Sequence, residues 1–267
     1  MLTGATRLVG LIGNPISESL SPRMQNAAFA ARALDWAYVP LPVEPDELES
    51  AVTGLSALGF AGANVTVPYK TAVLGYCDKL DEFAERAGSV NTLVVRDGQL
   101  HASSTDGLAV TEAVQAEGAR VLMLGAGGAA QAVATALADA GAASLTVAAR
   151  RPEQAEALAL RLRAGFPGHE IHAATSWPST TEEFTLIVNA TPMREAPLRL
   201  RADQQVVDLA YTGDETEMGL VAVAREAGCE TIVDGREILL RQGAASFERW
   251  TGVPAPVDVM RAALRAP

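Results

Sequence analysis

The chain predicts an α/β protein of two layered domains, on three observations. Short β-branched runs alternate with amphipathic stretches, the alternation restarts near residue 120, and a glycine-rich turn joins a strand to a helix at the restart. With 267 residues, 49% of them hydrophobic, there is material for a sizeable core and for two compact domains.

The first hundred residues read RLVGLIG, PRMQNAAFAARAL, AYVPLPV, DELESAVTGLSALG and GANVTVP, which is β-α-β-α-β. On the last of these strands, the two-residue alternation puts Asn64 and Thr66 on one face and Val65 and Val67 on the other, one face toward a cleft and one in the core. NTLVVRDGQLHASS follows as a hairpin with Asp97-Gly98 at its turn. A helical stretch over about 107–118 links to the second domain. There RVLMLG, SLTVAAR, EIHAATSW, LIVNATP and QVVDLAY read as short apolar strands of a doubly wound parallel sheet, with helices over Ala129–Ala140 and Glu153–Arg163. After Asp234-Gly235, two helical segments, REILLRQGAASFERWTG and PVDVMRAALR, close the chain. The expected boundaries are 1–107 with 236–267 for a substrate domain and 108–235 for a Rossmann-type domain.

The net charge of -11 argues against a nucleic-acid backbone or an anionic membrane as partner, since both reward clustered Lys and Arg. Cys77 and Cys229 lie far apart with no CxxC spacing, and His101, His169 and His172 show no ligand spacing, so neither a disulfide framework nor a metal is proposed. No signal segment and no run of about 20 apolar residues occurs, which makes the cytoplasm the expected location.

LMLGAGGAAQAVATALADAG places Gly125-x-Gly127-x-x-Ala130 between strand and helix, the context of a dinucleotide-binding turn. Gly125 permits the tight turn, Gly127 lets the backbone approach a pyrophosphate, and Ala130 allows close packing of helix on strand. Where an NAD site carries an acidic residue about twenty positions on, this chain has Ala148-Ala149-Arg150-Arg151. Guanidinium groups there suit a 2′-phosphate, so the expected cofactor is NADP; two arginines capping a strand end in solvent is the plainer alternative.

Near the N-terminus, GNPISESLSPRMQN leaves a strand and opens a helix, with Ser21 as its cap and Pro22 as its first residue. Ser19 and Ser21 then set two hydroxyls beside a helix end, which suits a small carboxylate. Alone, Ser21-Pro22 is only a helix start. It is followed in order by NVTVPYK at 64–70, GSVNT at 88–92 and STDG at 104–107, then by the GAGGAA loop and a late helix with Gln242. Together these six segments resemble the shikimate dehydrogenase family over nearly the whole chain.

The resemblance implies that Lys70 and Asp106 are catalytic, and that Ser19 and Ser21 bind the substrate carboxylate. It implies that Thr66, Asn91 and Gln242 contact the ring hydroxyls, with Tyr211 near the cleft. It further implies that Gly125, Ala126, Gly127, Gly128, Ala129 and Ala130 cradle the pyrophosphate, that Arg150 with Arg151 meets the 2′-phosphate, and that Thr191 and Gly235 lie on the cofactor side. Several positions depart from the pattern: Glu18 for the usual His, Ser104 for Asn, Ala102 and Ala109 for glycines, and Met193-Arg194 after Thr191-Pro192.

Moving a hydride from a secondary alcohol requires a partner for the hydroxyl proton. Lys70, just past a strand end, is expected to trade that proton and stabilise the alkoxide while Asp106 orients the same hydroxyl. The expected reaction interconverts shikimate and 3-dehydroshikimate in chorismate and aromatic amino-acid biosynthesis, by a monomer or homodimer. Quinate or an aminoshikimate as substrate is the second reading. A non-catalytic NADP-binding module is the third, which would have no need of Lys70, Asp106, Asn91 and Gln242.

Overall fold

The computed structural model describes residues 2–177, 180–193, 195, 197–212 and 219–265. The chain divides into two compact units, Met1–Thr105 with Leu239–Pro267, and Asp106–Ile238. Against the expected boundaries, Asp106 and Gly107 move to the second unit, as do the residues from 236 to Ile238.

The first unit carries a six-stranded sheet of β1 (Arg7–Gly13), β2 (Trp36–Pro42), β3 (Phe60–Val65), β4 (Lys79–Leu80), β5 (Thr92–Arg96) and β6 (Gln99–Ser103), ordered β2-β1-β3-β5-β6-β4. Pro40 and Pro42 lack N–H groups, and β2 is an edge strand, where that loss is tolerated. β1 runs parallel to β2 and β3, whereas β3-β5 and β5-β6 are antiparallel. Asp97 and Gly98 turn the β5-β6 hairpin with φ of 51° and 76°, the pair of positive values that a two-residue turn matching strand twist requires.

Helices α1 (Ser21–Ala31), α2 (Leu48–Ala57) and the short α3 (Glu82–Ala87) belong to this unit. Leu55, Val52, Val65, Val73 and Leu93 form one core. Phe29 of α1 stacks on Phe247 at 5.4 Å between ring centres. The chain does not extend β3 to Val67 as alternation predicts. The strand ends at Val65, and Val67, on a loop with a cis bond to Pro68, is 63% exposed rather than packed in the core.

In the second unit, α4 (Asp106–Thr111) precedes β7 (Arg120–Leu124), α5 (Gly128–Asp139), β8 (Ser144–Ala148), α6 (Pro152–Gly165), β9 (Glu170–Ala173), β10 (Leu186–Asn189), β11 (Gln205–Asp208), α7 (Gly219–Glu226) and β12 (Thr231–Val233). The sheet is parallel throughout, in the order β12-β11-β10-β7-β8-β9, which is the doubly wound pattern with its reversal between β7 and β10. Both faces are covered: Val121 and Met123 pack with Val133, Leu137 and Leu162, while Leu122 and Leu124 pack with Phe184, Ile187 and Leu220.

The helical stretch expected over 107–118 is helix only to Thr111, whose hydroxyl lies within reach of the Gly107 and Leu108 carbonyls. That back-bonding competes with the helix ladder. The last long helix, α8 (Gly235–Thr251), crosses from the second unit into the first, and α9 (Val257–Arg265) follows. Among the described residues, no helix is long and apolar enough to cross a membrane.

Candidate active site

Two loops leave the C-terminal ends of β1 and β3 side by side in the first unit. Thr66 N–H donates to Ile12 O at 2.8 Å and Asn14 N–H to Val67 O at 3.0 Å, which ties them together. The β1 loop carries Ser19, half-buried, and Ser21, buried; Glu18 is exposed. The helix begins one residue earlier than expected. Ser21 is its first residue rather than its cap, Leu20 takes the cap position, and Ser19 Oγ accepts from the Ser21 N–H at 3.3 Å.

The β3 loop carries Thr66 and Lys70, both half-buried. Between them the buried Tyr69 fixes the loop, its hydroxyl donating to Val43 O at 2.5 Å. Lys70 O accepts from Val90 N–H at 2.8 Å, so the lysine backbone is held against the residue that precedes Asn91.

Asn91 is the centre of a polar network, 2% exposed. Its Oδ1 accepts from Thr105 N–H at 2.9 Å and from Thr92 Oγ1 at 2.8 Å, and its Nδ2 donates to Thr105 Oγ1 at 2.9 Å and to Gln242 Oε1 at 3.3 Å. Gln242, half-buried, also donates from Nε2 to Leu239 O at 2.8 Å, and its backbone oxygen accepts from Thr105 Oγ1 at 3.0 Å. Asn64 adds a second layer, receiving the Tyr38 hydroxyl at 2.9 Å and donating to Asn91 O at 2.9 Å and Ser246 Oγ at 3.1 Å. A buried polar group without partners costs more than a satisfied one returns, so a filled network of this kind fixes its members in one arrangement.

The sequence reading missed Thr92, Thr105 and Ser246 as members. The signal available was the polar run around Ser104-Thr105-Asp106. Ala102 and Ala109, which replace the family's glycines, are both buried in apolar cores. Ser104 Oγ is buried with no hydrogen-bond partner among the described residues.

In the second unit, buried Asp106 opens α4. Gly125 follows β7 with φ of 110°, a region that other residues rarely adopt, and donates its N–H to Ala148 O at 2.7 Å. A Cβ on it would sit 3.0 Å from Ala190 O and 3.1 Å from Thr191 Cγ2. At Gly127, by contrast, a Cβ would meet nothing within 4 Å, and this residue caps α5 without any side-chain hydrogen bond to the first turn. Free space and free N–H groups at a helix N-terminus are what a pyrophosphate needs. Ala126, Gly128 and Ala129 are half-buried along this turn, and Ala130 is fully buried, as close helix-strand packing demands. Arg150 and Arg151 are exposed just past β8. The residues present therefore fit a dinucleotide with a 2′-phosphate.

Thr191 stands in the turn after β10, where its N–H and hydroxyl donate to Asn189 Oδ1 at 3.0 and 2.7 Å. Tyr211 is half-buried after β11. Gly235 opens α8 so close to the preceding loop that a Cβ would lie 2.2 Å from Ala210 O. Arg194 lies outside the described residues. Among those described, no group of three or more His, Cys, Asp or Glu side chains is placed to hold a metal ion.

The chain matches three family models in succession: the shikimate dehydrogenase substrate binding domain over residues 11–93, shikimate / quinate 5-dehydrogenase over 107–214, and the shikimate 5′-dehydrogenase C-terminal domain over 235–265. A shikimate dehydrogenase (NADP+) of Anaeromyxobacter sp. (strain Fw109-5) is 45% identical over 100% of this chain and 99% of that one. Among solved structures, a shikimate dehydrogenase in complex with NADP+ superposes with a TM-score of 0.89 at 34% identity, covering 99% of this chain and 96% of that one. A quinate dehydrogenase of Corynebacterium glutamicum in complex with NAD gives 0.83 at 30% identity, covering 97% and 98%. With identity of this order along its full length, the chain belongs to the shikimate dehydrogenase family.

Proposed function

We infer that the protein is an NADP-dependent shikimate dehydrogenase, an oxidoreductase acting on a CH-OH group, which reversibly reduces 3-dehydroshikimate to shikimate on the way to chorismate and the aromatic amino acids. The observation that carries this reading is the end-to-end 45% identity with an enzyme of that name. The Asn91–Thr105–Gln242 network supports it.

Bound NADPH supplies the hydride; the chain's own residues handle position and proton. Ser19 and Ser21 take the carboxylate, while Thr66, Asn91 and Gln242 present hydroxyl and amide groups to the ring hydroxyls, with Tyr211 beside them. Lys70 gives its proton to the oxygen that becomes the shikimate hydroxyl and takes it back in the reverse direction, and Asp106 orients that oxygen. The turn from Gly125 to Ala130, with Thr191 and Gly235, holds the cofactor, and Arg150 with Arg151 reads its 2′-phosphate. The two compact units act as a substrate domain and a cofactor domain in a cytoplasmic monomer or homodimer.

Quinate is the second reading, favoured by the likeness to the quinate dehydrogenase. Initial rates with shikimate and quinate, each against NADP and NAD, decide between them. Turnover confined to shikimate and NADP is the expected result, quinate turnover with NAD moves the protein to the second reading, and cofactor binding without turnover of either acid overturns both. Lys70→Ala should lower turnover by roughly a hundredfold to ten-thousandfold with NADPH affinity kept. Near-normal turnover in that variant refutes the role given to Lys70.

A further inference from the structure

Asp208 ends β11 fully buried, and the chemistry assigned above does not use it. Its Oδ1 accepts from Asn189 Nδ2 at 2.9 Å and from Ala210 N–H at 3.0 Å; its Oδ2 is buried with no hydrogen-bond partner among the described residues. Asn189, itself fully buried, passes the connection on. Its Oδ1 accepts the Thr191 N–H and hydroxyl, and Thr191 Oγ1 in turn accepts from Met193 N–H at 3.2 Å. The Ala190–Thr191 backbone and methyl are the surface that Gly125 packs against, and Ala210 is the residue that Gly235 abuts. One carboxyl therefore anchors two loops at the C-terminal edge of β10 and β11, where a doubly wound sheet binds its ligand: the Thr191 turn, which packs against Gly125, through Asn189, and the Ala210 loop, which packs against Gly235, directly.

We propose that Asp208 is a positioning residue of the cofactor site, holding the Asn189–Thr191 turn and the Ala210 loop in the arrangement that binds NADPH. This rests on the cofactor reading above. Burial pushes its carboxyl up to about 6, with the Asp234 charge adding to the shift against the Ala210 and Asn189 hydrogen bonds. Asp234 is the other charged group acting on it, an exposed residue whose Oδ1 accepts from Glu237 N–H at 2.9 Å. Near neutral pH Asp208 is a buried anion, and its two accepted hydrogen bonds are charge-assisted, about twice as strong as neutral ones. Protonation as pH falls through 6 keeps the geometry and weakens the grip.

The test is NADPH affinity by nucleotide fluorescence, at pH 8 and pH 5.5, for the full-length protein and two variants. Asp208→Ala should bind NADPH about tenfold more weakly at pH 8, equal to ~1.4 kcal/mol, whereas Asp208→Asn, which keeps an oxygen acceptor at Oδ1, should stay within about threefold. The 2′-phosphate itself titrates near 6, as phosphate monoesters do, so the pH effect is read as the difference between parent and Asp208→Asn. The parent should lose about twofold more affinity than Asp208→Asn on acidification, because its carboxyl, once protonated, loses the charge assistance that the amide never had. In steady state, the KM for NADPH of Asp208→Ala should rise with the KM for 3-dehydroshikimate unchanged, a split that mere loss of folded protein does not produce. Unchanged NADPH affinity in Asp208→Ala, or equal pH trends in the parent and Asp208→Asn, overturns the proposal; the second comparison stands even if the alanine variant does not fold. A parent that binds NADPH but leaves shikimate untouched defeats the substrate reading and not this one, because the readout is cofactor affinity.

Discussion

Asn91→Ala is the substitution with the largest worked consequence in the substrate-side network. It leaves the buried Thr105 N–H without its 2.9 Å acceptor and removes the bonds to Thr92 and Gln242. An orphaned donor costs roughly 1–3 kcal/mol and each lost net bond about 1 kcal/mol. Thr92 retains a neighbour in Ser246 Oγ at 2.8 Å, which softens one of these losses. The sum is about 3 kcal/mol of stability, or a fall in melting temperature of roughly 10 °C at 2–4 °C per kcal/mol. Calorimetry reads that fall, and kcat/KM for shikimate should drop further than the folded fraction explains, with NADPH affinity held. A melting temperature within about 3 °C of the parent, a shift worth only ~1 kcal/mol, would refute the claim that Asn91 fixes this network.

If Arg150 and Arg151 read the 2′-phosphate as proposed, replacing both by alanine removes charge-assisted contacts worth about 1.5–3 kcal/mol. The ratio of kcat/KM for NADP to that for NAD should fall at least tenfold, and an unchanged ratio defeats the assignment. Gly235→Ala pushes a methyl to 2.2 Å from Ala210 O, a backbone atom that cannot swing aside; overpacking of about 1–3 kcal/mol should appear in a urea titration, and no shift in midpoint would count against the close approach. For Asp208 the raised folded value means that the native state holds its proton over a range where the unfolded chain has lost it. Its contribution is favourable below about pH 4 and is lost as pH rises through about 6. Asp208→Asn should therefore gain stability relative to the parent between pH 4 and 6.5, and parallel stability curves would argue that the carboxyl titrates normally.

The parallel sheet was legible because strands buried on both faces read as continuous apolar runs, and the Gly125 turn because φ of 110° and a tight approach leave glycine as the residue that fits. α3 went unread although Asp81 caps it, accepting from Ala84 N–H at 2.7 Å, and Gly88 ends it at φ of 63°; six residues are too few to show a helical period. The apolar run GLVAVARE of α7 reads equally well as strand or helix. Ser21 was misplaced by one residue because helix ends are set by local backbone angles that composition does not report. The least legible feature is the partnership of Asn91 with Gln242, 151 residues apart, and of Asp208 with Asn189, since either pair exists only once the strands and helices have been laid side by side.

That separation has a consequence for how the molecule is made. The first unit is closed by groups translated after the second: Trp250 Nε1 donates to Leu93 O at 2.9 Å, Gln25 Nε2 to Gly243 O at 2.9 Å, and Phe29 lies on Phe247. All three partners follow the whole of the second unit in the chain. At about 5–20 residues per second, the ribosome takes roughly 7–27 s to deliver the intervening segment. Throughout that interval the N-terminal sheet has apolar surface and backbone carbonyls with no lid, while the doubly wound unit, contiguous in sequence, has everything it requires to fold. The nascent chain thus completes its second unit before its first, and truncation shortly before Phe247 should leave the N-terminal unit as the part that chaperones and proteases recognise.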